Sequence, residues 1–383
     1  MYHWLFPLTS NRLVHLYLSR NKLDNIPKYL GNLCSLTSLY FDRNSVPVKF
    51  PIFLNHLSGC TSLMLRRLYA SSSHFTGSLS NDIQKFSSLQ SLDLSNNQLN
   101  GTISEKVWQL PELQRLDVSS NFLKGVISEN MDKSNILIVN LSNNSLEGVG
   151  SNAHMSNRSA IENLDLSSCK LGPRFPVWIQ TLKNLTRINL ANTKISDAIP
   201  KEFWNTWPSQ LTDLNLSSNN VTGAIPDLLS NFDPRSSAID LSSNNFYGTI
   251  PNVPSSLERL DLSKNRFHGD IIFLCEIVDG ALSFLDLSHN SFTGQIPDCL
   301  WHFKGLRLLS LGYNNLSGRL PSSIKYLINL EVLYLYNNSD ETMVNRAGLT
   351  HWSRQEGLIP SSRGSLAGSP VDDLLHKETN RDS

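Results

Sequence analysis

The sequence predicts one elongated solenoid of stacked repeats with α/β secondary structure, and three observations support this class. An LxxLxLxxN motif recurs at steps of about 24 residues, a period typical of leucine-rich repeats. Each motif alternates leucines with polar residues, as a strand with one buried face does. One repeat has no second apolar layer, so only neighbouring repeats can cover its leucines. The last motif position is occupied by Asn21, Asn44, Asn97, Asn121, Asn144, Asn219, Asn244, Asn265, Asn290, Asn314 and Asn338, with Ser73, Cys169 and Thr193 in the intervening slots.

The leucines of each motif predict how the repeats associate. Leu89, Leu92 and Leu94 point inward, and burial of each contributes roughly 1.5–3 kcal/mol. Because the paired leucines alternate with exposed residues, consecutive repeats are expected to form a parallel sheet with one free face. The sequence therefore predicts a right-handed, curved superhelix with this sheet on the concave face and irregular or 3-10 segments on the convex face.

The asparagine of each motif stands where the chain turns away from the strand. Its amide carries both donors and an acceptor, which can satisfy turn backbone groups that would otherwise be buried without partners. Ser73, Cys169 and Thr193 can supply part of this bonding. These three substitutions therefore need no functional explanation.

An LxGxIP pattern follows the asparagine in several repeats. Glycine allows close backbone approach, and proline lacks the N–H that a central strand needs. We therefore expect this half-repeat to form an irregular outer segment and not a central strand. The pattern occurs at 99–103, 221–226, 246–251, 292–297 and 316–321.

This half-repeat resembles that of plant extracellular leucine-rich-repeat proteins. The stretches LGPRFPVWIQTLKNLT at 171–186, FWNTWPSQLTDLNLSSNN at 203–220 and LDLSHNSFTGQIPDCLWHFKGL at 285–306 resemble plant receptor-like proteins of the type that perceives ethylene-inducing xylanase. The resemblance extends over about residues 11–338. It implies a truncated ectodomain at the extracellular face of the plasma membrane, a protein or peptide ligand, and a co-receptor kinase as a further partner.

Three segments are predicted along the chain. Residues 1–12 form an incomplete lead-in without an evident cap, and residues 13–338 form a leucine-rich-repeat domain of about fourteen repeats. Residues 339–383 form a disordered, non-repeat tail, because they are rich in Ser, Gly and charge. The chain as written lacks a secretory signal and an apolar run of about 18 residues, so no membrane span is expected.

The composition disfavours several classes of function. With 33 basic and 33 acidic residues the net charge is zero, so no global field attracts nucleic acid or anionic lipid. The histidines and cysteines lack metal-ligand spacing, and no glycine-rich phosphate loop follows a strand. The acids from Asp240 to Asp286 form an open ladder, which we expect to be unable to shift one carboxyl pKa for catalysis. We therefore predict no catalytic residues, no metal site and no cofactor.

The five cysteines predict disulfides. Cys275 and Cys299 stand one repeat apart in outer segments, close enough to form a disulfide. Cys34 and Cys60 are a second candidate pair, which leaves Cys169 as a buried free thiol. The alternative is a cytosolic chain with five reduced core cysteines.

Sequons for N-glycosylation recur along the chain. A repeat rich in Asn and Ser generates some of them by chance, and others fall within the strand segments. We expect glycans at Asn157 and Asn184, which should lie in outer loops or on the convex side.

Ligand binding is expected on the concave sheet, whose outward side chains have no packing role. Tyr17, Tyr40 and Tyr69 fall between the paired leucines of successive repeats, either as an aromatic ladder that captures ligand or as cross-strand packing. Arginines recur two positions before this column, where they either meet acidic groups of a long partner or are neutralised by neighbouring aspartates. The candidate ligand-binding residues are Tyr17, Tyr40, Tyr69, Arg67, Arg115, Arg187, Arg259, Asp213 and Tyr334.

These features predict a non-catalytic recognition module, resembling the ectodomain of a plant immune receptor-like protein, that binds a protein or peptide on its concave face. One alternative is a secreted decoy or enzyme inhibitor, resembling polygalacturonase-inhibiting repeat proteins. Another is a truncated gene product without function, whose uncapped ends aggregate.

Overall fold

The computed structural model describes residues 12–45, 47–149, 159–206, 211–226, 237–277 and 280–339. Within them, fourteen short strands pair in chain order to form one parallel sheet. The predicted fold class, a leucine-rich-repeat solenoid, is confirmed. The strands are His15–Tyr17, Ser38–Tyr40, Arg67–Tyr69, Ser91–Asp93, Arg115–Asp117, Ile138–Asn140, Asn163–Asp165, Arg187–Asn189, Asp213–Asn215, Ser237–Asp240, Leu257–Asp261, Phe284–Asp286, Leu308–Ser310 and Val332–Tyr334.

Almost all of the lead-in at 1–12 and of the tail at 339–383 lies outside the described residues. The glycosylation candidate Asn157 lies outside them as well. What was expected of these segments and of Asn157 stays a prediction.

The register of the sheet places equivalent residues of successive repeats side by side. Leu92 aligns with Leu68 on one neighbouring strand and with Leu116 on the other. All three leucines are fully buried, as is Leu94 just beyond the strand. The hydrophobic effect therefore acts between repeats, and each repeat covers the leucines of the next.

The half-repeats with the glycine pattern differ from the expectation, because they form strands. They build two five-stranded parallel sheets on the outer side of the repeats. The strands are Val48–Lys49, Phe75–Leu79, Gln98–Ile103, Phe122–Val126 and Ser145–Glu147 in one, and Thr222–Gly223, Asn245–Gly248, Arg266–Gly269, Ser291–Gln295 and Asn315–Ser317 in the other.

The reason for this difference is visible at the glycine and at the proline. Gly125 has a φ of 93°, and a Cβ there would lie 2.9 Å from the methyl carbon of Thr102 in the preceding repeat. The glycine thus lets adjacent backbones approach in a conformation that other residues avoid. Pro297 stands beyond the end of its strand, Ser291–Gln295, so its missing N–H removes no bond from the sheet.

Short helices close most of the repeats on the outer side, as predicted. The α-helices are Phe50–Leu57, Cys60–Met64, Glu105–Trp108 and Lys201–Thr206. The 3-10 helices are Lys28–Asn32, Asn81–Lys85, Glu129–Lys133, Val177–Thr181, Ile272–Glu276, Asp298–His302 and Ser322–Tyr326.

Each motif asparagine from Asn44 onward joins two repeats through hydrogen bonds, as Asn97 illustrates. The Nδ2 of Asn97 donates to the carbonyls of Ala70 and Leu94, both at 2.9 Å. Its Oδ1 accepts from the backbone N–H groups of Ser73 at 3.0 Å and Phe75 at 2.9 Å. Ala70, Ser73 and Phe75 belong to the preceding repeat, so a single buried side chain satisfies turn backbone on both sides of the junction.

The residue before each motif position has a left-handed backbone. All fourteen have φ between 51° and 58°, a region that non-glycine residues seldom adopt. This conformation turns the chain out of the sheet just before the asparagine side chain enters the core. The residues are Arg20, Arg43, Ser72, Asn96, Ser120, Asn143, Ser168, Asn192, Ser218, Ser243, Lys264, His289, Tyr313 and Asn337.

Two disulfides link neighbouring outer segments. Cys34 bonds to Cys60, with Cα atoms 4.9 Å apart, and Cys275 bonds to Cys299, with Cα atoms 5.4 Å apart. The second of these joins the 3-10 helices of two consecutive repeats. Cys169 is a free, buried thiol.

The Cys275–Cys299 disulfide is expected to stabilise the repeats that it joins. Replacing both cysteines with serine should lower the free energy of unfolding by about 3 kcal/mol, because the unfolded chain gains the entropy of the opened loop. Urea unfolding of this double variant, in which Cys34–Cys60 is retained, measures the loss. Equal unfolding midpoints for the wild type and the variant would contradict the prediction.

Candidate ligand-binding surface

The exposed face of the fourteen-stranded sheet presents two columns of side chains. The leading column contains the first residue of each three-residue pairing segment, from His15 to Val332. The trailing column contains the last residue, from Tyr17 to Tyr334. At a strand spacing of about 4.8 Å, fourteen strands give a strip roughly 60 Å long.

Three tyrosines of the trailing column stack on one another. The ring centroids of Tyr17 and Tyr40 lie 4.3 Å apart with planes 10° from parallel, and those of Tyr40 and Tyr69 lie 5.1 Å apart at 25°. Tyr17 is 68% exposed, whereas the other two rings are partly covered. The three rings thus form the predicted aromatic ladder, in which each ring face that points to another tyrosine is covered by it.

The middle tyrosine of the ladder has a shifted pKa. Burial, followed by the charge of Tyr17 and a hydrogen bond with it, raises the pKa of Tyr40 above its usual value, although Arg67 acts in the opposite direction. The Tyr40 hydroxyl therefore remains neutral at physiological pH.

The four arginines of the leading column differ in their partners. Arg187 forms an ion pair with Asp213, with Nε to Oδ2 at 2.9 Å. The guanidinium of Arg259 lies 3.7 Å from Asp261 Oδ2. These two arginines are thus neutralised locally, as one of the two interpretations expected.

Arg67 and Arg115 are exposed in the leading column. In the part of the chain that the structure describes, neither forms a salt bridge. Their guanidinium groups therefore remain available to acidic groups of a partner.

Asp261 and Asp286 of the trailing column are shielded from solvent, and each is only 6% exposed. Asp261 lies in register between Asp240 and Asp286. Burial, followed by the charges of those two neighbours, raises the pKa of Asp261 to about 7. The expectation that this ladder cannot shift a carboxyl pKa is therefore wrong.

Two polar neighbours of Asp261 are Arg259 and Ser263. The guanidinium of Arg259 lies 3.7 Å from Asp261 Oδ2 and 3.7 Å from the ring centroid of Phe284 on the next strand. Ser263 donates to Asp261 Oδ1 from its hydroxyl at 2.7 Å and from its backbone N–H at 3.1 Å. The hydrogen bonds from Ser263 and the guanidinium of Arg259 stabilise the charged form of Asp261 less than burial beside two other carboxylates destabilises it, so its pKa is raised.

Elsewhere in the trailing column, Asp117 and Asp165 each have an asparagine beside them. Asn140 donates from Nδ2 to Asp117 Oδ2 at 3.2 Å, and Asn189 donates in the same way to Asp165 at 3.2 Å. Such an amide both relieves repulsion and satisfies the neighbouring carboxylate. Asp261 has carboxylates on both sides.

An aromatic cluster near the last described repeats was missed in the sequence. His289 and Tyr313 stack with centroids 4.1 Å apart, and Tyr336 contacts Tyr313 and Tyr334 edge-on at 5.1 and 5.8 Å. The candidate Tyr334 is half-buried within this cluster. The sequence does carry one sign of this cluster. In the same repeats, the leading column contains three consecutive apolar residues, Phe284, Leu308 and Val332.

The glycosylation candidate Asn184 lies in a turn between the 3-10 helix Val177–Thr181 and the strand Arg187–Asn189. It is exposed, and its Nδ2 donates to the carbonyl of Ser159 at 2.8 Å. A glycosylated amide keeps one N–H, so this bond is compatible with a glycan. Glycosylation of Asn184 stays a prediction.

Cys169 occupies a motif position in place of asparagine. Its thiol lies 3.4 Å from the carbonyl of Leu141, and burial raises its pKa to about 11. Because the thiolate is the reactive form, this cysteine is inert. Its role is to fill the turn and donate a weak hydrogen bond.

The helices of the described residues are short, and none has the length and apolar character needed to cross a bilayer.

Comparisons with known proteins agree with this geometry. The Leucine Rich Repeat family matches at residues 12–33, 88–110, 184–206, 210–232, 281–303 and 305–327. Receptor-like protein EIX1 of Solanum lycopersicum is 37% identical over 137 residues, which are 29% of this chain and 13% of that protein. Receptor-like protein 31 of Arabidopsis thaliana is 38% identical over 243 residues, which are 58% of this chain and 28% of that protein.

A solved structure also resembles the solenoid. It is the Arabidopsis receptor kinase HAESA in complex with the peptide hormone IDA and the co-receptor SERK1, with a TM-score of 0.56 and 26% identity. The match covers 86% of this chain and 62% of that one. The chain spans less than a third of the length of the two receptor-like proteins above. The repeats and the solenoid show that the chain is built of leucine-rich repeats, and its sequence is similar to those of plant receptor-like proteins.

Proposed function

We propose that the exposed face of the fourteen-stranded sheet is a non-catalytic recognition surface for a protein or an extended peptide. The observation that carries this proposal is the continuous sheet itself, whose columns present stacked tyrosines and exposed arginines over a strip roughly 60 Å long. A strip of this length suits a polymer better than a small metabolite, which binds in a concave pocket.

The solved relative supports the kind of ligand. HAESA was solved in complex with a peptide hormone and a co-receptor, and it shares this fold. We propose the same two classes of partner for this chain, a peptide or protein ligand and a co-receptor kinase, at the outer face of the plasma membrane.

A non-catalytic role fits the chemistry of the sheet. Asp261, whose pKa is raised to about 7, has the protonation behaviour that a general acid requires. Asp261 is only 6% exposed, so its carboxyl group is poorly placed to reach a molecule bound on the sheet. The raised pKa of Asp261 therefore reflects its burial in the sheet.

The proposal can be tested by selecting binders from a displayed library of random peptides. Hydrogen exchange of the complexes should show protection of the fourteen-stranded sheet. Replacing Tyr17, Tyr40 and Tyr69 with alanine should weaken the selected peptides by about tenfold or more, because aromatic residues dominate such contacts. The melting temperature should change little, since the stacked rings lie on the outer face of the sheet and not in the leucine core.

A matched control removes three exposed apolar side chains from the outer side, at Ile272, Tyr326 and Ile328. This variant should bind the selected peptides as the wild type does. Protection confined to the outer segments, or equal binding by the tyrosine variant, would contradict the proposal. A parallel loss of binding and melting temperature in the tyrosine variant would favour cross-strand packing.

A further inference from the structure

Charge is distributed unevenly along this neutral chain. Residues 12–74, which form the first three repeats, contain eight Lys or Arg residues and only two Asp or Glu residues, Asp24 and Asp42. All eight cationic residues are exposed. Asp42 is already engaged, because its carboxylate accepts hydrogen bonds from Ser71 and Ser19. The repeats that carry the tyrosine ladder are therefore strongly cationic.

Arginines stand on both sides of the ladder. Arg67 belongs to the leading column, on the same strand as Tyr69. Arg20 and Arg43 occupy the left-handed positions that follow the strands of Tyr17 and Tyr40. No salt bridge involves these three arginines within the described ranges. We call these three arginines the arginine rim of the tyrosine ladder.

The stacking decides which chemistry the ladder presents. Both faces of Tyr40 are covered, one by Tyr17 and one by Tyr69, so no flat ring face is free there for a sugar. Between the outer faces of Tyr17 and Tyr69, the ladder presents ring edges, the positive end of the aromatic quadrupole, together with hydroxyl groups. Edges, hydroxyls and guanidinium groups all favour the oxygen atoms of carboxylates.

We propose that the tyrosine ladder and its arginine rim bind a short acidic segment of an extended peptide. This inference rests on the proposed recognition function and specifies the partner at one end of the sheet. Three strands span about 10 Å, a distance that an extended peptide covers with about three to four residues. Alternate acidic side chains of such a segment reach the guanidinium groups, while its backbone lies over the tyrosine edges.

The test uses a fluorescent peptide with a Glu-Glu-Asp-Glu core between Gly and Ser residues, and a matched peptide in which Gln and Asn replace the acids. Anisotropy titration should show that the acidic peptide binds at least about tenfold more tightly, and that added salt weakens it. A photoreactive group in the core should crosslink to the tyrosine ladder. Equal affinities for the two peptides would overturn the inference.

Variants of the protein locate the interaction. Combining Arg43→Glu with Arg67→Glu should weaken the acidic peptide by about tenfold or more, whereas Arg43→Lys with Arg67→Lys should retain most of the binding. Arg319→Glu reverses an exposed charge far along the chain and should have no effect. Thermal melts establish that each variant is folded. Loss of binding in Arg319→Glu as well would mean a general charge effect and would overturn the inference.

A carbohydrate ligand is a separate outcome. If oligomers of galacturonic acid displace the acidic peptide at lower concentration than an unlabelled copy of it does, the site recognises an acidic glycan and the inference fails. If library peptides protect the sheet but show no preference for acidic residues, this inference fails while the proposed recognition function stands. If library peptides protect no part of the sheet, the proposed function itself fails.

Discussion

Replacing Asn97 with alanine is expected to lower the free energy of unfolding by about 3–6 kcal/mol. The substitution removes this partner from two buried N–H groups, of Ser73 and Phe75, and from the carbonyls of Ala70 and Ser95. The Leu94 carbonyl still accepts from Asn121 at 3.0 Å. Each buried polar group without a partner costs about 1–3 kcal/mol, and neighbouring groups relax to recover part of this. Chemical denaturation measures the loss.

Two further variants make this result specific. Asn97→Ser should cost less, because Ser73 at the equivalent position still donates to the carbonyl of Phe41 at 2.7 Å. Gln98→Ala, one residue further on at an exposed position, should cost less than about 0.5 kcal/mol. If Asn97→Ala unfolds at the same denaturant concentration as Gln98→Ala, the asparagine bridges do not hold the repeats together.

Asp261→Asn is expected to stabilise the protein at neutral pH. The pKa of Asp261 is about 7 in the folded state, against about 3.9 in an unfolded chain. The folded state therefore holds this proton more tightly, so the contribution of Asp261 to stability is most favourable below about pH 4 and is lost as the pH rises through about 7. Asparagine removes this loss, which amounts to about 2–4 kcal/mol.

The geometry of the column indicates that asparagine fits there. The amide oxygen can accept from Ser263 as the carboxylate does, and its Nδ2 can donate to a neighbouring carboxylate, as Asn140 does to Asp117. Asp117→Asn is the matched control. It should bring no comparable gain, because Asp117 already accepts from Asn140.

Unfolding measured at about pH 5 and about pH 8 tests the origin of the effect. The wild type should be less stable at the higher pH, and Asp261→Asn should lose much less of its stability over this range. An equal pH dependence in both proteins would show that other groups titrate and that Asp261 is an ordinary carboxylate.

The sequence was sufficient for the main sheet because the information is local. Spacing within one motif, as in Leu92, Leu94 and Asn97, determines which side chains point inward, and the recurrence of that motif supplies the stacking. The two cysteine pairs were also readable, because a separation of one repeat places Cys275 near Cys299.

Features that depend on contact between repeats were less accessible. The outer sheets form because Gly125 can adopt a positive φ against Thr102, which a reading of proline and glycine as strand breakers does not anticipate. The pKa of Asp261 depends on its burial beside Asp240 and Asp286, and the sequence aligns these residues without showing how deeply they are buried. The tyrosine column was predicted, whereas the covering of its ring faces needed coordinates.

The asparagine bridges bear on how such a chain can change in length. Each bridge is built from one side chain and the turn backbone of the coil before it, as Asn97 shows with Ala70 and Ser73. If one whole repeat is deleted or duplicated, each motif side chain still meets the turn backbone of a preceding repeat. No buried N–H or carbonyl group in the interior then loses its hydrogen-bond partner. Insertions of partial periods break this match. Growth and shrinkage by complete coils are therefore the tolerated route to a longer or shorter array.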